Sequence, residues 1–107
     1  MENSLHQYLL VAGSNDYSQS LQVYNLSASY WILNTPTLLK GRRAPSCVAH
    51  QFTMYAICGS NDRTIEYLEV GEDVSFTGKS WQYTVGELSY SVRGCRSVVH
   101  KDDIVIF

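Results

Sequence analysis

The 107-residue chain reads as an all-β protein made of antiparallel sheets, four strands to a complete unit. Three observations carry this reading. Apolar runs end twice in the same tetrapeptide, Gly-Ser-Asn-Asp, starting at Gly13 and at Gly59. Eight tyrosines accompany many Val, Ile and Thr residues, a set that favours the pleated strand over the helix. Larger landmarks also recur: Trp31 as Trp81, Arg43 as Arg93, Val48 as Val98 and His50 as His100, each 50 residues on. A fixed period of this size marks a repeat architecture and has to be read before any single element.

The elements follow in order. Period-2 alternation or short apolar runs, bounded by turn residues, predict strands at 8–12, 21–25, 30–33, 47–50, 54–58, 65–70, 80–85, 97–100 and 104–107. No apolar stripe of helical period extends over three turns, so no helix is expected. The connections are short, which makes the sheets antiparallel meanders. Gly59 lies only 46 residues after Gly13, so the spacing slips between glycine and tryptophan. Tyr24 precedes Trp31 by seven residues and Tyr67 precedes Trp81 by fourteen, which places a longer hairpin loop around residues 71–79.

About 50 residues and four strands per repeat is the arithmetic of a β-propeller blade. The stretch VYNLSASYW, followed by RAPSCVAHQFTMYAICG, resembles a kelch repeat in its glycine turn, its Tyr-to-Trp spacing and its Trp-to-Arg spacing. The resemblance covers nearly the whole chain. Two features depart from it. The usual glycine pair reads Ala12-Gly13 and Cys58-Gly59, and the tryptophan after Tyr67 is displaced by the long loop. A WD40 propeller would need Gly-His and Trp-Asp dipeptides at a shorter period, and both are missing.

The resemblance implies an incomplete β-propeller. Residues 1–46 form a first blade whose inner strand is only the stub Ser4-Leu5-His6, residues 47–96 form a second, and residues 97–107 start a third. Propellers need several blades, so further blades from the same chain or from other chains are expected to close the ring. Gly13, Tyr24, Trp31, Gly59, Tyr67 and Trp81 are the structural landmarks, the two indoles filling space between neighbouring blades.

Composition bounds the function. An apolar fraction of 45% suits an ordinary core, and a net charge of −2 with one adjacent basic pair, Arg42-Arg43, argues against nucleic-acid binding. Residues 1–6 do not read as a signal peptide, and no run is long enough for a membrane-spanning helix. Three cysteines are too few for a disulfide scaffold, so a soluble, reducing, cytoplasmic setting is expected, with the sequon at Asn25 an unmodified turn. Cys47 and Cys58 fall where they could face one another across a hairpin. His6, His50 and His100 occupy equivalent repeat positions, spread about an axis rather than converging, so no metal or other cofactor is expected.

With strands committed to stacking, recognition is left to loops. The resemblance builds a ligand face from two loop sets. One follows each glycine turn, Ser14, Asn15, Asp16 and Tyr17, then Ser60, Asn61, Asp62 and Arg63. The other comprises residues 40–46 and 89–96. Arg42, Arg43, Arg63, Arg93 and Arg96, all five arginines, lie in these sets, and guanidinium groups beside tyrosines suit acidic segments of a protein partner. The competing reading has Asp16 and Asp62 neutralising the arginines locally. A non-enzymatic protein-interaction module or scaffold is the expected function. A structural component of a large cytoskeletal or ciliary assembly, and part of a propeller enzyme, are the alternatives.

Overall fold

The computed structural model describes residues 8–13, 18–72, 74–90 and 96–106. Nine strands make three separate antiparallel sheets, and there is no helix among the described residues, hence none long and apolar enough to cross a membrane. The first sheet holds β1 (Tyr8–Ala12), β2 (Leu21–Asn25) and β3 (Tyr30–Ile32) in that order. The second holds β4 (Ser46–His50), β5 (Thr53–Ile57), β6 (Ile65–Glu69) and β7 (Gln82–Tyr83), and the third β8 (Ser97–His100) and β9 (Asp103–Ile106).

Six strands differ from the expected bounds, most of them by a single residue at one or both ends, and for two of them the local reason is plain. β5 stops at Ile57 because Cys58 takes a left-handed backbone, φ +53°, which a strand cannot contain. β7 shrinks to two residues, although the N–H of Thr84 still donates to the Ile65 carbonyl and prolongs the pairing. The hairpins β4–β5 and β8–β9 close through two-residue turns, with Gln51 at φ +56° and Lys101 at φ +53°. The repeat is therefore visible in backbone angles as well as letters.

Strand register sharpens the correspondence between copies. Gly13 N–H donates to Ser20 O as Cys58 N–H donates to Thr64 O, so Cys58 stands in the position of Gly13, both with positive φ. Tyr24 faces Trp31 across β2–β3, and Tyr67 faces Gln82 across β6–β7. Continuing that register by one residue sets Trp81 beside Leu68, so Leu68, not Tyr67, is the counterpart of Tyr24. The tetrapeptide Gly-Ser-Asn-Asp hides this one-residue shift.

The core lies between the first two sheets. Alternation sends Leu21 and Val23 from β2, Met54 and Ala56 from β5 and Leu68 from β6 into it, with Tyr8, Leu10, Ala12 and Ile32 packed at its margin. Full burial of a Met or Leu side chain contributes about 1.5–3 kcal/mol. The long loop of the second repeat is part of this packing: Val74 and Phe76 are buried, and the Phe76 ring meets Tyr8 edge-on with centroids 6.2 Å apart. Trp81 is buried and donates its indole N–H to the Pro36 carbonyl at 3.1 Å, tying the second sheet to the connection that leaves the first. The third sheet joins the second through the hydroxyls of Ser46 and Ser97 and through His50 Nε2 and Asp102 Oδ1, 3.1 Å apart.

Candidate functional site

The connection between β3 and β4 is gripped from both sides. Leu38 and Arg42 donate their N–H groups to Gln19 O and Ser18 O of the first sheet's turn. The N–H of Ser60, in the second sheet's turn, donates to Arg43 O. A Cβ at Gly13 would lie 2.6 Å from the Arg42 carbonyl oxygen, and one at Gly59 2.7 Å from that of Arg43. Both glycines also have positive φ, +74° and +119°. The repeated glycine is thus explained: one from each turn lets the backbone of Arg42-Arg43 pass between them.

This threading drives the Arg42 side chain into the second sheet, where it has no exposed surface. Its Nη1 donates to Cys58 O and Thr64 O, both at 2.9 Å, and Nη2 donates to Thr64 Oγ1 at 3.0 Å. Nε donates to Glu66 Oε2 at 3.1 Å, and Nη2 lies 3.0 Å from the same oxygen. Glu66, equally buried, accepts from the N–H groups of Leu39 and Lys40 at 2.6 and 3.1 Å. Asp62 completes the cluster. Its Oδ1 accepts from the N–H and hydroxyl of Thr64 and lies 3.6 Å from Arg42 Nη1, while Oδ2 meets Lys40 Nζ at 3.2 Å. Burial pushes the Asp62 carboxyl up, but the two Thr64 hydrogen bonds, Lys40 and the Arg42 charge outweigh it and hold the group below the usual carboxylate range.

Arg42 therefore has to be removed from the partner-facing set: it is enclosed, and its donors are taken up by carbonyls and carboxylates of its own chain. Asp62, expected in the same set, is buried against Lys40 and Arg42. Ser60 is buried with it. Arg43, Asn61, Arg63 and Arg96 are exposed. Arg63 pairs with Glu87 at 3.0 Å and reaches Ser89 O at 3.4 Å, and Leu88 N–H donates to Arg63 O. The glycine turn at 59–63, the connection 40–46 and the segment 84–90 thus meet at one end of the second sheet, beside a groove lined by Thr64, Tyr83, Thr84, Gly86 and Glu87. Ser14, Asn15, Asp16, Tyr17 and Arg93 lie outside the described residues, as do His6 and Cys95.

The cysteines, His50 and Trp31 are placed as follows. Cys47 stands opposite Ala56 rather than Cys58, and neither cysteine forms a disulfide. Burial pushes the Cys47 thiol up to about 11. His50 contacts Asp102, and no group of three His, Cys, Asp or Glu among the described residues is arranged to hold a metal ion. Trp31, expected between blades like Trp81, is half exposed, its ring edge-on to Tyr24 at 5.0 Å. Sequence reasoning missed Glu66 altogether. The signal was available: Ile65-Glu66-Tyr67-Leu68 places a carboxylate on the same face as the buried Leu68, and a charge at a core-facing position needs a partner. No protein-family model matches the chain, and no curated protein matches its sequence.

Proposed function

We propose that this chain is a kelch-type propeller segment that acts as a protein-interaction module, binding its partner through the loop end rather than through its strands. The observation that carries the reading is the meeting of three loop segments, 40–46, 59–63 and 84–90, at one end of a sheet whose faces are otherwise engaged in packing. Arg43 and Arg63 with Tyr90 supply exposed guanidinium groups and an aromatic ring there, and the exposed Arg96 adjoins Ser97, whose hydroxyl meets that of Ser46 at the end of the connection, a surface suited to an acidic, extended segment of another protein. The reading is of a binding role without chemistry of its own, in a reducing compartment that keeps Cys47 and Cys58 as thiols.

The test is a peptide array of acidic, neutral and basic sequences probed with the protein and with its Arg63→Ala/Arg96→Ala variant. Acidic peptides are expected to be retained by the wild type and released by the variant at an unchanged melting temperature. Equal retention by a folded variant would sink the reading.

A further inference from the structure

The strand register defines which surface of the first sheet corresponds to which surface of the second. Leu9, Val11, Gln22, Tyr24 and Trp31 occupy the positions of Met54, Ala56, Glu66, Leu68 and Trp81. The second set is the face on which the first sheet packs, and its members are at most 2% exposed. Among the described residues the first set has no sheet upon it: Leu9 and Trp31 are each 51% exposed and Val11 42%. At the other end of the stack, the same reading makes Val98 and Val105, paired across β8–β9, the counterparts of Val48 and Tyr55. Val48 and Tyr55 lie on the face of the second sheet opposite Met54 and Ala56, the side on which β8 stacks against β4. Val98 and Val105 are exposed as well.

The two ends are therefore the two halves of one kind of contact, the contact that already joins neighbouring sheets inside the chain. We propose that the Leu9–Val11–Tyr24–Trp31 face is an interface for a second copy of this chain, which docks the Val98–Val105 face of its third sheet there, head to tail. The second copy is chosen because the complementary half is on the molecule itself and repeats the internal stacking relation. Glu66 has Gln22 as its counterpart, so the free face presents an amide where the internal contact has a carboxylate and carries no charge of its own for the incoming sheet to neutralise. A contact between unlike faces adds copies in one direction until the rotation closes a ring or a filament grows. The proposal rests on the repeat reading above but not on the loop-end binding, so the two fail separately.

The experiment is sedimentation velocity of the 107-residue protein over a micromolar to submillimolar series, with Val11→Glu and Val105→Glu variants. Both residues are exposed, so the fold is expected to survive, as circular dichroism will report. Val11→Ser and Val105→Ser give the same readout should either glutamate disturb its strand. The wild type is expected to self-associate, and each variant alone to lose about tenfold or more in association constant. Mixing the two restores a single junction, from the intact tail of one to the intact head of the other, and stops at dimers. A wild type that stays a folded monomer throughout, or variants that associate as it does, would overturn the proposal.

Discussion

Arg42 and Glu66 lie 24 residues apart in the chain and meet with Nη2 and Oε2 3.0 Å apart, neither side chain exposed. Removing one partner of such a pair leaves an uncompensated buried charge, at a cost of about 3–5 kcal/mol. Glu66→Gln is nearly isosteric and keeps an acceptor, so it is expected at the lower end, about 3 kcal/mol. Arg42→Lys is expected to cost as much, since one ammonium cannot reach the Cys58 and Thr64 carbonyls and the carboxylate together. Urea unfolding checks both, and a loss under about 1 kcal/mol in either would contradict the network's structural role.

Trp81 and Trp31 are counterparts in different surroundings. Trp81→Ala opens a hole beside Leu68 and orphans the Pro36 carbonyl, with an expected loss of about 3–5 kcal/mol. Trp31→Ala removes a half-exposed ring and is expected to cost about 1 kcal/mol or less in the dilute protein. Thermal melts of the two variants at low concentration give the comparison, and equal losses would contradict it.

The glycine turns separate strain from collision. Gly13 and Gly78 share nearly the same φ, +74° and +76°, but only Gly13 has backbone in the way of a Cβ. Gly78→Ala is expected to lose about 1–2 kcal/mol from the left-handed angle alone. Gly13→Ala adds the clash with the Arg42 carbonyl and is expected to lose clearly more. Denaturation midpoints decide, with equal losses counting against the threading of the connection.

Asp62 sets an acid limit. Its folded carboxyl titrates below the ordinary value of 3.8, so the unfolded chain binds the proton more readily. The stabilisation is fully present above 3.8 and is lost as pH falls through the folded value. Asp62→Asn is expected to be less stable at neutral pH and to show a shallower decline below 3.8. Parallel stability curves for variant and wild type would refute this.

The thiols are expected to be inert while the protein is folded. Cys47 stays protonated at neutral pH, pushed up to about 11, and Cys58 has no exposed surface. Iodoacetamide followed by peptide mass mapping is expected to modify Cys47 and Cys58 only after urea is added. Rapid native labelling of either would contradict the packing around β4 and β5.

Period-2 patterns and turn residues made all nine strands legible, because each strand's alternation reflects a local choice of face. Residues 8–12, 21–25 and 97–100 match β1, β2 and β8 to the residue. The register was less legible. Gly-Ser-Asn-Asp invited an alignment of Gly13 with Gly59, whereas hydrogen bonding aligns Gly13 with Cys58, and nothing in the letters announces a left-handed cysteine. The meeting of the loops could be expected from their repeat positions. The fate of Arg42 could not, because Arg42 and Arg43 look identical in sequence and are separated only by which side of the threaded backbone each one leaves. Glu66 was written plainly in an inward-facing place and remained unread because it lies outside the loops.

The connection that threads between Gly13 and Gly59 also has a mechanical meaning. Apolar sheet faces slide over one another with little directional resistance, whereas a guanidinium seated among two carbonyls, a hydroxyl and a carboxylate fits in one position only. Tension drawn along the backbone from the first sheet to the second arrives at Arg42 before it can peel Met54 and Leu68 from their neighbours. The boundary between sheets is thus a pegged joint, stiff over a short travel and abrupt in release.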